Sequence, residues 1–245
     1  MKLILAGTSH GVPSAVRFCS CYILEVGENL YIFDAGAPAV DLLMRYGKNP
    51  ENVRAFFNTH SHGDHIDGAP SLLSLQEWHF ENISIDAFLP DEITKKAICD
   101  YVLATDRVTI PSKKVRMTVF SEGEVFDDGN IKVSAIEVKH DVGEDKCAYA
   151  FLIEAEGKSI LYTGDMSQTL CDFPRIAFER HIDLIMSESA HGSVQTLCEI
   201  MDKVDTERFV ITHIFPESKF EEFEKIKDDY RFAVHIASDG DIIEI

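Results

Sequence analysis

Apolar residues recur along this chain with two interleaved periods. The run KLILAG (Lys2–Gly7) is short and apolar, and a loop rich in Gly, Pro and Ser carries the chain on to Arg17. SCYILEV (20–26) and NLYIFDAG (29–36) follow, separated by Gly27 and Glu28, which predicts a hairpin. From Ala37 to Gly47 the apolar positions Val40, Leu43 and Met44 fall at helical spacing, and a glycine ends the segment. VRAFFNTH (53–60) reads as a strand, SLLSLQEWHF (71–80) as a helix and ISIDAFLP (83–90) as a strand. A helix with an acidic cap is expected from Asp91 to about Thr105.

From Val115 to Asp165 the pattern is almost wholly strand: VRMTVF (115–120), IKVSAIEVKH (131–140), AYAFLIEA (148–155) and SILYTGD (159–165). The last third alternates helix and strand through FPRIAFERH (173–181), IDLIMSES (182–189), VQTLCEIMDKV (194–204), RFVITHI (208–214), FEEFEKIKDDY (220–230) and FAVHIA (232–237). Two strand-rich blocks, each closing with helices, predict two sheets packed face to face with helices outside. That is a four-layer αββα sandwich of the α/β class. No linker-like stretch and no fixed-period repeat breaks the 245 residues, so one domain over 1–245 is expected.

Charge narrows the partners. The chain has 42 acidic against 23 basic residues, a net charge of −19. Nucleic-acid binding draws its affinity from Lys and Arg neutralising phosphates, so a long nucleic acid is a poor partner for this surface. The start MKLILAGTSHG has one Lys and too short an apolar run for a signal peptide, and no stretch approaches a membrane span. The six cysteines, Cys19, Cys21, Cys99, Cys147, Cys171 and Cys198, are scattered. Without a secretory signal they are expected as reduced thiols, in a cytoplasmic protein.

The chemistry concentrates in NTHSHGDHIDG (58–68). His60, His62, Asp64 and His65 form an H-x-H-x-D-H pattern where a strand gives way to a helix. Neutral imidazole suits zinc, manganese or iron, and the carboxylate adds the charge that a second cation needs. The bland reading is a polar helix-capping loop. At this chain's own His and Asp frequencies, however, the pattern arises by chance on the order of once in a thousand such chains. A lone cluster seldom completes a two-metal site, so other strand ends should add ligands. His140 closes IKVSAIEVKH, Asp165 closes SILYTGD after the flexible Gly164, and His213 closes RFVITH. Cys19 and Cys21 read as buried thiols rather than a soft-metal pair. His10 and Arg17 lie in a loop able to border the mouth, while His79, His181 and His235 read as structural. The run ESKFEEFEKIKDD reads as a solvated amphipathic helix that turns Phe220, Phe223 and Ile226 inward.

This motif set resembles that of the metallo-β-lactamase superfamily, whose mark is H-x-H-x-D-H followed by a distant His, Asp and His. The resemblance spans the whole chain and implies the αββα fold. It also implies two divalent metals, zinc first and manganese or iron as alternatives. His60, His62 and His140 would hold one metal, Asp64, His65 and His213 the other, and Asp165 would bridge them. GTSHGVPSAVRFCSCYILEV (7–26) and IDLIMSESAHGSVQTL (182–197) are similar to segments of the ribonuclease Z and cyclic-phosphodiesterase branch. That similarity implies catalytic roles for His191, oriented by Glu188, and for Asp64, which would orient a metal-generated hydroxide. Two departures stand out: no basic or Gly-rich arm is inserted, and only residues 189 and 190 separate Glu188 from His191. Together with the charge, they point to a small phosphodiester as substrate. A lactonase or thioesterase, a ribonuclease Z-like RNA-processing enzyme, and a non-hydrolytic iron-binding redox protein are the competing readings. The last would ordinarily bring a flavin- or rubredoxin-like domain, which residues 1–245 do not suggest.

Overall fold

Successive residues of a strand point to opposite faces, and here both faces of each sheet are apolar. The computed structural model describes residues 1–80, 83–143 and 147–245. Its first sheet comprises β1 (Lys2–Gly7), β2 (Cys21–Val26), β3 (Asn29–Ala35), β4 (Val53–Phe57), β5 (Ile85–Leu89), β6 (Val115–Val119) and, from the far end of the chain, β14 (Asp241–Glu244). The second comprises β7 (Gly123–Asp127), β8 (Ile131–Val138), β9 (Ala148–Ala155), β10 (Lys158–Tyr162), β11 (Ile182–Ser189), β12 (Thr206–Ile214) and β13 (Ala233–Ile236). The orders are β14-β1-β2-β3-β4-β5-β6 and β13-β12-β11-β10-β9-β8-β7. Each sheet is antiparallel at one end and parallel at the other.

Alternation sorts the side chains between layers. Leu3, Leu5, Tyr22, Phe33 and Phe57 meet Phe151, Tyr162, Met186 and Val210 between the sheets. Phe57 lies at the centre, stacked on Phe33 and Phe88 with ring centroids 4.9 and 5.0 Å away. The intervening Ile4, Ile23, Ile32 and Phe56 point outward. They pack against the helices α1 (Ala39–Arg45), α3 (Ala69–Trp78) and α4 (Glu92–Asp106) through Leu42, Leu43, Leu72, Ile98 and Val102. On the second sheet Leu161, Ile185, Phe209 and Ile211 pack against α6 (Val194–Met201) and α7 (Ser218–Ile226). The one-turn helices α2 (Gly63–Ile66) and α5 (Ile176–Glu179) complete the set. The layers are therefore αββα, as the sequence predicts.

Several local expectations change. The helix expected over 173–181 shrinks to α5, because Pro174 and the return into β11 leave room for one turn only. In α1 Leu42 and Leu43 are buried while Met44 is exposed, so the inward stripe lies one residue earlier than the spacing suggests. β14 pairs with β1 and closes the edge of the first sheet, a long-range contact that no local pattern announces. In α7 Phe223 is fully buried and Phe220 and Ile226 pack partly, as expected, but Lys219 is buried as well. All six cysteines are free thiols, and Cys19 and Cys21 are buried. No helix among the described residues is long and apolar enough to cross a membrane.

Candidate metal centre

β4 ends at Phe57, and the chain continues through buried Asn58, Thr59 and His60 to the single turn α2, whose cap residue is His62. That turn places Asp64 and His65 one after the other on the site. It fits against the end of β3 only because residue 36 is glycine: a Cβ there would fall 1.7 Å from the Asp64 carbonyl oxygen. The loop after β10 is equally tight. Gly164 has φ +58°, and a Cβ on it would lie 2.8 Å from the Tyr149 carbonyl oxygen and 3.0 Å from Thr59. Asp165 is thereby delivered three residues past the strand.

Two bulges aim further residues. Across β2 and β3 the register steps from Cys21↔Ala35 to Tyr22↔Phe33, which leaves Asp34 as the extra residue at φ 55°. Across β11 and β12 it steps from Glu188↔Thr212 to Ser189↔Ile214, which leaves His213 at φ 51°. Left-handed backbone at a non-glycine residue costs on the order of 1–3 kcal/mol, and both bulges turn a side chain towards the same place.

All seven candidate ligands converge there, in two groups. His60, His62, His140 and Asp165 offer ligand atoms within 4.8 Å of one another, and so do Asp64, His65, Asp165 and His213. Asp165 belongs to both. Its Oδ2 lies 3.9 Å from His60 Nε2, 3.9 Å from His140 Nε2 and 3.3 Å from His213 Nε2, while Oδ1 lies 3.4 Å from His65 Nε2. Asp64 Oδ2 is 3.5 Å from His65 Nε2 and 3.6 Å from His213 Nε2.

Whether this donor set fits metal ions is answered by the atoms left over. His60 Nε2, His65 Nε2 and Asp165 Oδ1 are buried and have no hydrogen-bond partner. Unpaired buried polar atoms are rare, and two ring nitrogens and a carboxylate oxygen left so within these two groups call for cations. The outer nitrogens, by contrast, are engaged. His65 Nδ1 donates to Asp34 Oδ2 at 2.7 Å, His140 Nδ1 donates to the Met166 carbonyl at 3.3 Å, and His213 Nδ1 pairs with Ser20 Oγ at 3.1 Å. Thr59 Oγ1 donates to Asp34, so it accepts from His60 Nδ1 at 3.0 Å. Such outer bonds fix the tautomer that turns Nε2 inward as a ligand. His62 instead presents Nδ1, 3.1 Å from His140 Nε2. Two nitrogens on one tetrahedral zinc, with bonds of about 2.0–2.1 Å, stand roughly 3.3 Å apart.

Electrostatics agrees. Burial, together with the neighbouring His65, pushes the His60 pKa well below the ordinary histidine value, and burial lowers His62 and His140. These three rings stay neutral and offer lone pairs. Burial alone would also lower His65, but Asp165 and Asp34 hold it well above the ordinary value. Burial alone would raise the Asp165 carboxyl, yet His213 and His65 hold it well below the usual range. The anionic charge that favours a proton at His65 would equally favour a metal ion.

Beside the first group stand Glu188 and His191. Glu188 is buried at the end of β11 and accepts from the Ala190 and His191 amides at 2.6 and 3.0 Å and from His191 Nδ1 at 3.2 Å. The His191 ring packs on His140 with centroids 4.7 Å apart and is partly exposed. The hydrogen bond that His191 donates to Glu188 outweighs burial and raises the His191 pKa. On the other side His10 packs on the exposed Phe215, centroids 4.3 Å apart, and burial, helped by His213, lowers its pKa. Arg17 turns away from the mouth. Its guanidinium binds Thr8 Oγ1 and the Ala237 carbonyl and lies over Phe220. His79, His181 and His235 take no part in either group. A third grouping, His181, Asp183 and Glu207, lies at the surface, where Lys158 already pairs with both acids.

Asp34 is the residue that sequence reading missed. Its carboxylate accepts five hydrogen bonds, from Asn58 Nδ2, Thr59 N, Thr59 Oγ1, His65 Nδ1 and Tyr162 OH. The available signal was a charged residue ending the otherwise apolar run NLYIFDAG. Asp34→Asn would aim an amide N–H at one of those donors and unseat His65 and His60. Metal affinity should fall about 10–100-fold, measured by competition with a coloured chelator. Affinity equal to the parent's would show that Asp34 serves packing alone.

The sequence and the fold have counterparts among known proteins. A sequence family described as "Anti-Pycsar protein Apyc1" matches residues 1–235. Ribonuclease BN of Cronobacter sakazakii is 31% identical over 163 residues, covering 64% of this chain and 51% of that protein. The chain thus spans about half the length of the curated relatives it matches. Among solved structures, the metallo-β-lactamase fold protein YhfI from Bacillus subtilis superposes with a TM-score of 0.80 at 20% identity, over 99% of both chains. Human tRNase Z, short form, superposes with a TM-score of 0.77 at 20% identity, over 100% of this chain and 99% of that one.

Proposed function

The chain belongs to the family of the anti-Pycsar protein Apyc1, within the ribonuclease Z-like branch of the metallo-β-lactamase superfamily, and from that premise we propose that it is a two-metal hydrolase of small phosphodiesters. The observation that carries this reading is the pair of His/Asp groups sharing Asp165, with three buried ligand atoms unpaired. His60, His62 and His140 would hold one metal, Asp64, His65 and His213 the other, with Asp165 between them. Nitrogen and carboxylate donors of this kind suit zinc, with manganese or iron as alternatives. Bound divalent ions supply Lewis acidity and make hydroxide available at neutral pH.

The chain's own residues would do the rest. Asp64, partly exposed, faces the mouth and can orient the attacking water as well as bind metal. Glu188 fixes His191 through Nδ1 and favours its protonated form, so His191 can donate a hydrogen bond or a proton to the phosphoryl group or the departing oxygen. A phosphoryl group gains more from such a cationic donor than a lactone carbonyl does, and this favours the phosphodiester over the lactone reading. The organic part of the substrate would lie beside the loop at His10 and Gly11, next to Asp64, and the exposed Phe215 that packs on His10.

Size follows from charge. Each phosphate contact changes log affinity by about 0.7–0.9 per log unit of salt and needs a cation, and a surface of net charge −19 offers few. A substrate with one or two phosphates is therefore expected, in the cytoplasm. The test is a panel of bis-p-nitrophenyl phosphate, cyclic nucleotides, lactones and precursor transfer RNA given to metal-loaded protein. Turnover of the small phosphodiesters, with transfer RNA neither cleaved well nor inhibitory at micromolar concentration, is the expected result. Steeply salt-dependent micromolar inhibition by transfer RNA, or efficient trimming of its precursor, would establish the ribonuclease reading instead. Preferential lactone turnover would establish an acyl hydrolase.

A further inference from the structure

We propose that Lys219 is a positioning residue for His191, a role that rests on the reading of His191 given above. Lys219 lies in the first turn of α7, yet its side chain is buried and reaches back to the turn after β11. Its Nζ donates to the carbonyl oxygens of Ser189 at 2.6 Å, Gly192 at 2.6 Å and Ala190 at 3.3 Å. An ammonium has three donors, and here all three meet backbone carbonyls that flank His191.

Nothing about α7 itself explains a lysine at this position. A cation in the first turn opposes the helix dipole, and burial opposes the charge. No carboxylate among the described residues lies within ion-pair distance of Nζ, in contrast to Lys227, which is near the end of the same helix and pairs with Glu224. The turn from Ser189 to Gly192 is instead gripped on both sides. Glu188 takes the amides of Ala190 and His191, and Lys219 takes the carbonyls of Ser189, Ala190 and Gly192. With both sets engaged, the peptide planes 189–190 and 190–191 are held at both ends and the plane 192–193 at its carbonyl, so the turn that carries His191 cannot rotate freely. The ring is then held where Nδ1 meets Glu188 and one face meets His140.

A merely structural lysine would weaken the fold and act independently of His191, so a double-mutant cycle separates the two roles. In metal-loaded full-length protein acting on bis-p-nitrophenyl phosphate, Lys219→Met should lower kcat about tenfold while KM and metal content stay unchanged, a part of the effect expected for His191 itself. In the His191→Ala background the same substitution should have no further effect. Losses that multiply would overturn the proposal. Amide exchange gives a second readout that needs no turnover. Exchange at Ala190 and His191 should accelerate about tenfold in Lys219→Met, while Ile185 and Met186 within β11 stay protected. Unchanged exchange at Ala190 and His191, or acceleration spread evenly through β11, would overturn the proposal even if His191 proves catalytically silent. Should Lys219→Met not fold, Lys219→Gln, too short to reach all three carbonyls, is read in the same way.

Discussion

Chelator-treated protein should lose hydrolysis to background and melt at a lower temperature. The seven candidate ligands come from the ends of four strands, β4, β8, β10 and β12, which belong to two different sheets. A metal at either group therefore ties separate elements together. Without it, buried atoms such as His60 Nε2, His65 Nε2 and Asp165 Oδ1 keep no partner. Linkage gives about 4 kcal/mol for one site at free metal a thousandfold above its Kd, and a chain of this size shifts about 2–4 °C per kcal/mol, so a fall of about 10 °C or more is expected. Scanning calorimetry with and without chelator, followed by zinc or manganese addition, measures it. Unchanged melting together with retained turnover would mean that the cluster is an ordinary polar network.

Substituting His191 should separate chemistry from metal binding. His191 holds no place in either ligand group: its Nδ1 bonds Glu188 and lies 3.8 Å from Asp165 Oδ2, and its ring packs on His140. His191→Ala should keep both metals and slow phosphodiester cleavage by about 10²–10⁴, the usual loss when one general acid is removed. His62→Ala and Asp165→Asn should behave the other way round, losing metal first and activity with it. Elemental analysis beside steady-state kinetics on each variant reads both quantities. His191→Ala turning over as fast as the parent would reduce His191 to a wall of the site.

Much of this architecture was legible because it is local. The alternation of Leu3, Ile4 and Leu5, or of Phe56 and Phe57, reports burial on both faces of a strand, and two such blocks imply two sheets. The H-x-H-x-D-H run was equally open, since its four residues follow one another within the single connection from β4 through α2. The distant His140, Asp165 and His213 could be named because each follows an apolar run. What stayed hidden depends on register and long-range pairing. The bulges at Asp34 and His213 involve no glycine, and so left no mark on the sequence. β14 is defined by β1, from which it is separated by most of the chain. Lys219 looked like one more charge on a solvated helix, and only the fold brings the carbonyls of Ser189 and Gly192 to it.

Anomalous diffraction from crystals of protein purified without added metal would show directly whether two metal ions share Asp165. Two anomalous peaks are expected, one among His60, His62 and His140 and the other among Asp64, His65 and His213, both within bonding distance of the Asp165 carboxylate. A map with no peak among these residues, or with a single ion that Asp165 does not touch, would contradict the shared two-metal site.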